Sequence, residues 1–170
     1  MTLNSLHDVF VEQLGDLYSG EKQLVSALPA VASAATSPEL REAIEDHLAE
    51  TQQHVTRLEQ VFTALDEPYP TMQKCEGMEG IISEGEHVLR SGGSGPAKDA
   101  AIIAQAQRVE HYEIAGYGTA KAMAKELDLS TVQDLLDATL TEEANADQTL
   151  TKIATGGLFR SGVNESALTS

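Results

Sequence analysis

Acidic and imidazole side chains stand at positions where the sequence pattern predicts buried apolar residues. In the first of four long amphipathic segments, leucines recur at intervals of three and four residues, and this rhythm continues onto Glu21. The other three segments are interrupted in the same way. The polar residues at these inward positions are Glu21, His47, Glu50, His54, Glu110, Glu113, Glu143 and Asp147. Carboxylates and imidazoles ligate transition metals, so these residues are candidate metal ligands.

The interruptions fall at matching heights when the segments fold as two helical hairpins. With a rise of about 1.5 Å per residue, Glu21 and Glu50 lie about 14 and 15 residues on either side of the first predicted turn. Glu113 and Glu143 each lie about 15 residues from the second predicted turn. Each hairpin therefore carries its acids at one level.

Carboxylates gathered inside a bundle lose hydration and repel one another, so they need compensating positive charge. The nearby basic residues Lys22, Arg57 and Arg108 fall off the stripes that hold the acids, and bound cations are the simplest alternative. Carboxylates with one or two imidazoles suit iron or manganese better than zinc or calcium, and we rank iron first. Carboxylates can bridge two such ions about 3.5–4 Å apart, and such pairs can react with dioxygen or peroxide.

Composition favours a single all-α domain. The chain has 170 residues, of which 41% are hydrophobic and only 4% aromatic, and residues that favour helices are abundant. Twenty-seven acidic residues against eleven basic residues give a formal charge of −16. This charge repels nucleic acid and anionic lipid, so we expect neither as a partner.

The elements follow from apolar periodicity and from helix-capping signals. Ser37 with Pro38 predicts the start of the second helix, and Ser130 with Gln133 predicts a capping box at the start of the fourth. The predicted elements are helix A over about 3–33, helix B from 38 to about 66, a short helix over 78–89, helix C over about 96–127, and helix D from 130 to a stop at 156. Two hairpins joined by a long crossover describe a ferritin-like four-helix bundle. We assign residues 1–157 to this bundle and 158–170 to a C-terminal tail.

Cys75 is the single cysteine, which excludes an intramolecular disulfide and a Cys-x-x-Cys rubredoxin or zinc element. The first residues do not pair a basic region with an apolar one. No apolar stretch approaches the roughly 20 residues needed to cross a bilayer. We therefore expect a cytoplasmic protein that does not enter a membrane.

Four longer motifs give the sequence a close resemblance to the YciE/YciF branch of the ferritin-like superfamily, over residues 3–154. They are DLYSGEKQL from Asp16, HLAET from His47, MEG from Met78 and VEHYEIAGYG from Val109. By resemblance to rubrerythrin, a wider relative, the ligand glutamates fall on Glu21, Glu50, Glu110, Glu113 and Glu143. The rubrerythrin pattern expects histidines where this chain has Gln53 and Asp147. We therefore take His54 as the preferred nitrogen ligand and His47 as the other choice, and we keep Asp147 as a candidate ligand.

The resemblance implies a di-iron, or di-manganese, carboxylate protein that reacts with peroxide or dioxygen in a stress response. Without a rubredoxin segment, repeated turnover requires electrons from another protein or from a small reductant. The alternative is a non-enzymatic, stress-associated structural dimer of the same fold that binds metal. A ferritin-like storage cage is a weaker third reading. In either of the first two cases we expect a homodimer, and we interpret Tyr112 and Tyr117 as packing or interface residues.

Overall fold

Helices make up most of the chain in the computed structural model, which describes residues 3–70, 74–93, 95–157 and 160–168. The elements within these ranges are α1 Leu6–Ala34, α2 Pro38–Leu65, α3 Glu76–Arg90, α4 Pro96–Glu126, α5 Ser130–Thr155, β1 Gly156–Gly157, β2 Arg160–Ser161 and α6 Val163–Ala167. α1 packs on α2 and α4 packs on α5, while contacts of α1 with α4 and of α2 with α5 close the bundle. The predicted all-α bundle of two hairpins is confirmed.

Capping side chains begin the first two helices. The hydroxyl of Ser5 accepts a hydrogen bond from the Asp8 amide at 3.1 Å, and the Asp8 carboxylate accepts one from the Ser5 amide at 3.0 Å. Ser37 caps α2 by accepting from the Leu40 amide, and Pro38 occupies the first turn. The predicted start of α2 is confirmed.

The predicted capping box at the start of α5 is wrong. Ser130 is already the first helical residue, and the residue in the N-cap position is Leu129, which has no side-chain acceptor. The turn is closed by its backbone, because the Leu129 amide donates to the Ala124 carbonyl at 2.9 Å. Asp128 adopts a left-handed conformation with φ 56° within that turn. This bond caps the C-terminal end of α4, and no side chain caps the N-terminal end of α5.

Asp99 fastens the α1–α2 turn to the first turn of α4. Its carboxylate is buried and accepts hydrogen bonds from the Thr36 amide at 2.8 Å, the Thr36 hydroxyl at 2.6 Å and the Ser37 amide at 2.7 Å. Three donors satisfy an anion that would otherwise be costly to bury. The end of one hairpin is thus fixed against the start of the other.

α3 lies within the crossover and packs against α4 and α1. It begins two residues earlier than predicted, with Cys75 in the N-cap position. The Cys75 amide donates to the Ser19 hydroxyl at 2.9 Å, and the Gln23 side chain donates to the Cys75 carbonyl at 3.1 Å. These bonds fix the start of α3 on α1.

Two apolar clusters fill the bundle, one toward each end. The first cluster is built around Leu24, Leu28, Ile44, Ile102, Ile103, Leu150 and Ile153. The second is built around Phe10, Leu14, Leu58, Phe62, Tyr117, Ala120 and Leu136. On each long helix the two clusters are separated by a short stretch that buries polar residues instead. The polar layer therefore crosses the whole bundle between its two apolar halves.

The described part of the C-terminal tail packs on the bundle. β1 pairs with β2 in antiparallel register, and α6 contacts α4 and α5. Val163 is buried and joins the first apolar cluster. No helix within the described ranges is both long enough and apolar enough to cross a membrane.

Candidate metal centre

The polar layer contains six titratable side chains from the four long helices. They are Glu21 on α1, His47 and His54 on α2, Glu110 and Glu113 on α4, and Glu143 on α5. None of the six exceeds 7% exposure. Ions in the solvent do not reach these buried side chains. Any positive charge that compensates the carboxylates must therefore lie within the layer.

Two groups of possible ligand atoms occur in the layer, and both include Glu143. One group combines His47, Glu110, Glu113 and Glu143, and the other combines Glu21, His54 and Glu143. Within each group the ligand atoms lie within 4.8 Å of one another. Nδ1 of His54 is 2.9 Å from Oε1 of Glu143 and 3.5 Å from Oε1 of Glu21. The donor types and the spacing of each group are compatible with a bound transition metal ion.

Many of these ligand atoms have no hydrogen-bond partner among the described residues. They are Oε2 of Glu21, both ring nitrogens of His47, Oε2 of Glu110, both carboxylate oxygens of Glu113 and Oε2 of Glu143. Leaving so many buried polar atoms unpaired is expensive. A cation bound among them would satisfy several at once. The residues therefore fit a metal ion, and the buried cluster could hold one.

Burial and mutual repulsion shift the pKa values in the same direction for three of the carboxyl groups. Burial raises the pKa of Glu113 and of Glu110 well above the usual range, and the neighbouring carboxylates raise both further. Burial also raises the pKa of Glu21, against the opposing effect of His54. The layer thus disfavours its own negative charge unless something positive enters it.

The two histidines differ in charge state. Burial lowers the pKa of His47 and keeps its imidazole neutral. Burial also opposes the charged form of His54, but the carboxylates of Glu143 and Glu21 outweigh it and raise the pKa of His54 to about 10. One imidazolium cannot balance four buried carboxylates. The remaining charge must be removed by protons or by bound cations.

Two of the predicted ligands lie outside both groups. The Glu50 side chain is 43% exposed, with Oε2 4.0 Å from Nδ1 of His47. The Asp147 side chain is 21% exposed, and its Oδ1 accepts a hydrogen bond from the side-chain Nε2 of Gln107 at 3.0 Å. The other predicted ligands, Glu21, His54, Glu110, Glu113 and Glu143, are brought together. His47, the second choice of histidine, joins them.

Tyr117 donates a hydrogen bond to Oε1 of Glu21. The sequence pattern predicts it to be a packing or interface residue. It is buried, and its ring also packs edge-on to His54. Its spacing carried a signal, because a residue four positions after Glu113 lies on the same face of α4. The hydroxyl therefore orients a candidate ligand from within the core.

Glu142 and Arg57 connect His54 to the surface, and the sequence interpretation assigned neither a role. Nε2 of His54 lies 2.9 Å from Oε2 of Glu142, and Nη1 of Arg57 lies 2.7 Å from the same oxygen. Arg57 also donates to the Thr139 hydroxyl at 2.6 Å. The pKa of Glu142 is lowered by Arg57 and His54, which outweigh its burial. Arg57 therefore holds a carboxylate that orients the imidazole, although it does not contact the buried acids.

A second network joins α1, α3 and α4 beside the layer. The Tyr112 hydroxyl donates to Oδ2 of Asp16 at 2.9 Å, and Sγ of Cys75 lies 3.1 Å from that oxygen and 3.0 Å from the Tyr112 hydroxyl. Tyr112 thus packs, as predicted, and also bonds across the crossover. The network fixes α3 in place.

The chain matches the family described as a domain of unknown function, DUF892, over residues 5–167. It is 39% identical over 165 residues to Protein YciF of Escherichia coli strain K12, covering 97% of this chain and 99% of that protein. The crystal structure of the E. coli stress protein YciF has a TM-score of 0.85 at 40% identity, covering 88% of this chain and 94% of the other. YcfI from Rhodopseudomonas palustris has a TM-score of 0.84 at 37% identity, covering 89% and 96%.

A protein of Xanthomonas campestris shares the fold, with a TM-score of 0.69 at 22% identity, covering 87% of this chain and 89% of that protein. The family match spans nearly the whole chain, and the sequence and structural similarities to YciF cover most of it. The resemblance to the YciF branch is thereby confirmed. This chain belongs to the DUF892 family, within which it is a YciF-like four-helix bundle.

Proposed function

We propose that this chain is a di-metal carboxylate protein that reacts with peroxide or dioxygen, with iron as the preferred metal and manganese as the alternative. The observation that carries the proposal is that two groups of ligand atoms from four helices share Glu143. A shared carboxylate suits a pair of ions that lie a few ångströms apart. Bound iron would supply one-electron chemistry with dioxygen or peroxide.

The chain's own residues would bind the metals and exclude bulk water from them. The glutamates of the layer supply negative charge, and His47 and His54 supply nitrogen donors. Glu50 follows His47 by three residues and Asp147 follows Glu143 by four, so each lies on the same helix face as a member of the layer. Both remain candidate ligands in this proposal. Tyr117 and Glu142 act as positioning residues for Glu21 and His54.

Metal content and iron oxidation test the proposal directly. The protein as purified is analysed for iron and manganese, then loaded with Fe(II) without oxygen and mixed with peroxide. We expect about two metal ions per chain, an absorbance change from iron oxidation and a matching loss of peroxide. If iron-loaded protein shows neither absorbance change nor peroxide loss, the reaction is wrong.

A matched pair of variants on α4 assigns the reaction to the layer. Glu113→Gln removes one buried carboxylate charge, while Glu126→Gln changes an exposed carboxylate near the end of the same helix. Glu113→Gln should abolish tight iron binding and oxidation, and Glu126→Gln should leave both unchanged. Equal behaviour of the two variants contradicts the assignment of the site.

A second candidate is a non-enzymatic stress protein of the same fold, in which metal serves to hold the bundle together. The observation that favours it is that all four long helices contribute to the layer, so that bound metal would cross-link them. A double variant with Glu110→Gln and Glu143→Gln distinguishes the two candidate functions. If the chain is a redox protein, the folded double variant loses both iron oxidation and stress protection, whereas a structural protein keeps its stress protection as long as the bundle remains folded.

A role in stress protection is supported by the description of the E. coli relative as a stress protein. In this proposal the chain forms a homodimer and receives electrons from an external donor. Cells lacking the protein should survive a peroxide challenge less well than cells complemented with it. Complementation with the Glu113→Gln variant should fail, and its success would remove the metal site from the stress role.

A further inference from the structure

A cavity of about 350 Å³ lies between α3 and the bundle helices, in the half of the molecule that contains the first apolar cluster. Its walls are mainly apolar and include Leu28, Val31, Ile44, Ile82, Leu89 and Val109. Pockets for small organic molecules have volumes of about 300–1,000 Å³ and are similarly apolar. The cavity is therefore large enough for such a molecule, and α3 forms one of its walls.

The cavity reaches the metal centre. His47 and Glu110, two members of the first ligand group, are among the residues that line it. Both ring nitrogens of His47 and Oε2 of Glu110 have no hydrogen-bond partner among the described residues. A molecule in the cavity would therefore approach the layer from the side of these two ligands.

The charges of the lining select against an anion. Among the described residues, no lysine or arginine lines the cavity, whereas Asp46, Glu50 and Glu86 do, in addition to Glu110. Away from the metal centre, a carboxylate ligand would meet like charge without a basic side chain to pair with it. Gln105 also lines the cavity, and its buried Oε1 has no hydrogen-bond donor among the described residues. A hydroxyl group on the ligand would satisfy that acceptor.

We propose that this cavity binds an uncharged, largely apolar molecule bearing a hydroxyl group, and that this is the substrate class of the metal centre. The binding follows from the shape and charge of the cavity. The role as substrate rests on the proposed function, because only a reactive metal pair gives the bound molecule chemistry to undergo.

Binding is measured with N-phenyl-1-naphthylamine, an uncharged dye whose fluorescence rises in apolar surroundings, on the metal-loaded protein. We expect saturable binding of one dye per chain. 1-Octanol should displace the dye at a concentration at least tenfold lower than octanoate, which has the same chain length and a negative charge. No saturable binding, or equal displacement by the two competitors, overturns the proposal.

Two cavity-filling variants locate the dye, and an exposed position on the same helix provides the control. Ala106→Phe on α4 and Ala43→Phe on α2 each add a ring at the cavity wall, whereas Ala104 of α4 is exposed and does not line the cavity. Both cavity variants should weaken dye binding at least tenfold, and Ala104→Phe should leave it unchanged. Circular dichroism and thermal unfolding identify a variant that fails to fold. If a folded cavity variant binds the dye as Ala104→Phe does, the cavity is not the site.

Iron loading on the same samples separates this proposal from the proposed function. Iron oxidation without dye binding contradicts the cavity and leaves the metal centre standing. Dye binding without iron uptake contradicts the reaction, and with it the role as substrate, but supports the cavity as a ligand site.

Discussion

At the scale of single residues, the candidate metal centre depends on the hydrogen bonds that orient His54 in the polar layer. Glu142 accepts from Nε2 of His54 and is itself held by Arg57. A proton fixed on Nε2 leaves Nδ1 directed toward Glu143 and Glu21, where a metal would replace the second proton. One half-buried carboxylate therefore controls which nitrogen of a buried ring is available.

Removing that carboxylate should weaken metal binding without touching a ligand. We expect Glu142→Ala to lower the affinity for Mn(II) by about 10–100-fold, because such outer partners orient the histidine ligand. Affinity is measured by competition with a chelator of known strength. Glu126→Ala, at an exposed position, is the control, and equal affinities for the two variants would show that His54 needs no partner or is not a ligand.

A second residue-scale prediction concerns Asp99, whose carboxylate accepts three hydrogen bonds from Thr36 and Ser37. Asp99→Ala leaves two backbone amides and a hydroxyl without their acceptor, and should lower the free energy of unfolding by about 2–4 kcal/mol. Asp134→Ala removes an exposed carboxylate and should change stability by less than about 0.5 kcal/mol. Urea unfolding of both variants measures the difference. A loss below 1 kcal/mol for Asp99→Ala, on the scale of one ordinary net hydrogen bond, would show that Asp99 does not fasten the α1–α2 turn to α4.

At the scale of elements, the position of α3 depends on a close contact between Gly77 and Tyr112. A Cβ added at Gly77 would lie 2.7 Å from the Tyr112 hydroxyl and 2.8 Å from its ring, so only glycine fits. Tyr112 cannot simply move aside, because its hydroxyl bonds to Asp16 and lies beside Sγ of Cys75. The position of α3, and with it one wall of the cavity, depends on this contact.

Two glycine variants within α3 test that dependence. Gly77→Ala should destabilise the protein by about 1–3 kcal/mol, because the ring must leave its hydrogen bonds to admit the methyl group. Gly80→Ala has open space around it and should gain about 0.5–1 kcal/mol from helix propensity. The free energies of unfolding of the two variants are compared in urea. If both variants are stabilised, the Gly77–Tyr112 contact does not constrain α3.

Apolar periodicity made the four long helices and the interruption by acids predictable from the sequence. Spacings of three and four residues report which side of a helix is buried, and this was sufficient to select Glu21, Glu110, Glu113 and Glu143. Periodicity does not report contacts between side chains of different helices. The bond from Tyr117 to Glu21 and the pairing of Glu142 with His54 depend on such contacts, and they were missed for that reason.

Capping signals have a similar limit, because they do not fix the residue at which a helix begins. The motif at Ser130 matched a capping box, but α5 already includes Ser130 as its first residue, and Leu129, which follows the left-handed Asp128, is in the N-cap position. Exposure is also decided by small rotations about the helix axis. Glu50 and Asp147 share the correct helix faces, yet both remain partly exposed at the edge of the layer. The height of the polar layer along the bundle was thus predictable, whereas the partial exposure of the residues at its edge was not.

At the scale of the whole molecule, the polar layer divides an otherwise continuous apolar core into two clusters. Four buried carboxylates within a chain of net charge −16 oppose folding unless protons or cations neutralise them. A metal that binds the folded layer and not the unfolded chain stabilises the protein by mass action. Stability should therefore report occupancy of the layer even where no reaction is observed.

Thermal unfolding in the presence of Mn(II) tests this coupling. At a free metal concentration 100 times the Kd, the expected stabilisation is about 2.7 kcal/mol, which for a chain of this size raises Tm by roughly 5–10 °C. The rise should grow with the logarithm of the metal concentration, because each tenfold increase adds about 1.4 kcal/mol once the site is saturated.

Glu143→Gln should abolish most of this rise, because Glu143 belongs to both ligand groups. Glu126→Gln, at an exposed position, should retain it. Metal that bound only to the acidic surface would stabilise the two variants equally, and it would lose its effect as added salt screens the exposed charges. Persistence of the difference between the variants at high salt would therefore place the stabilising metal in the buried layer that joins the four helices.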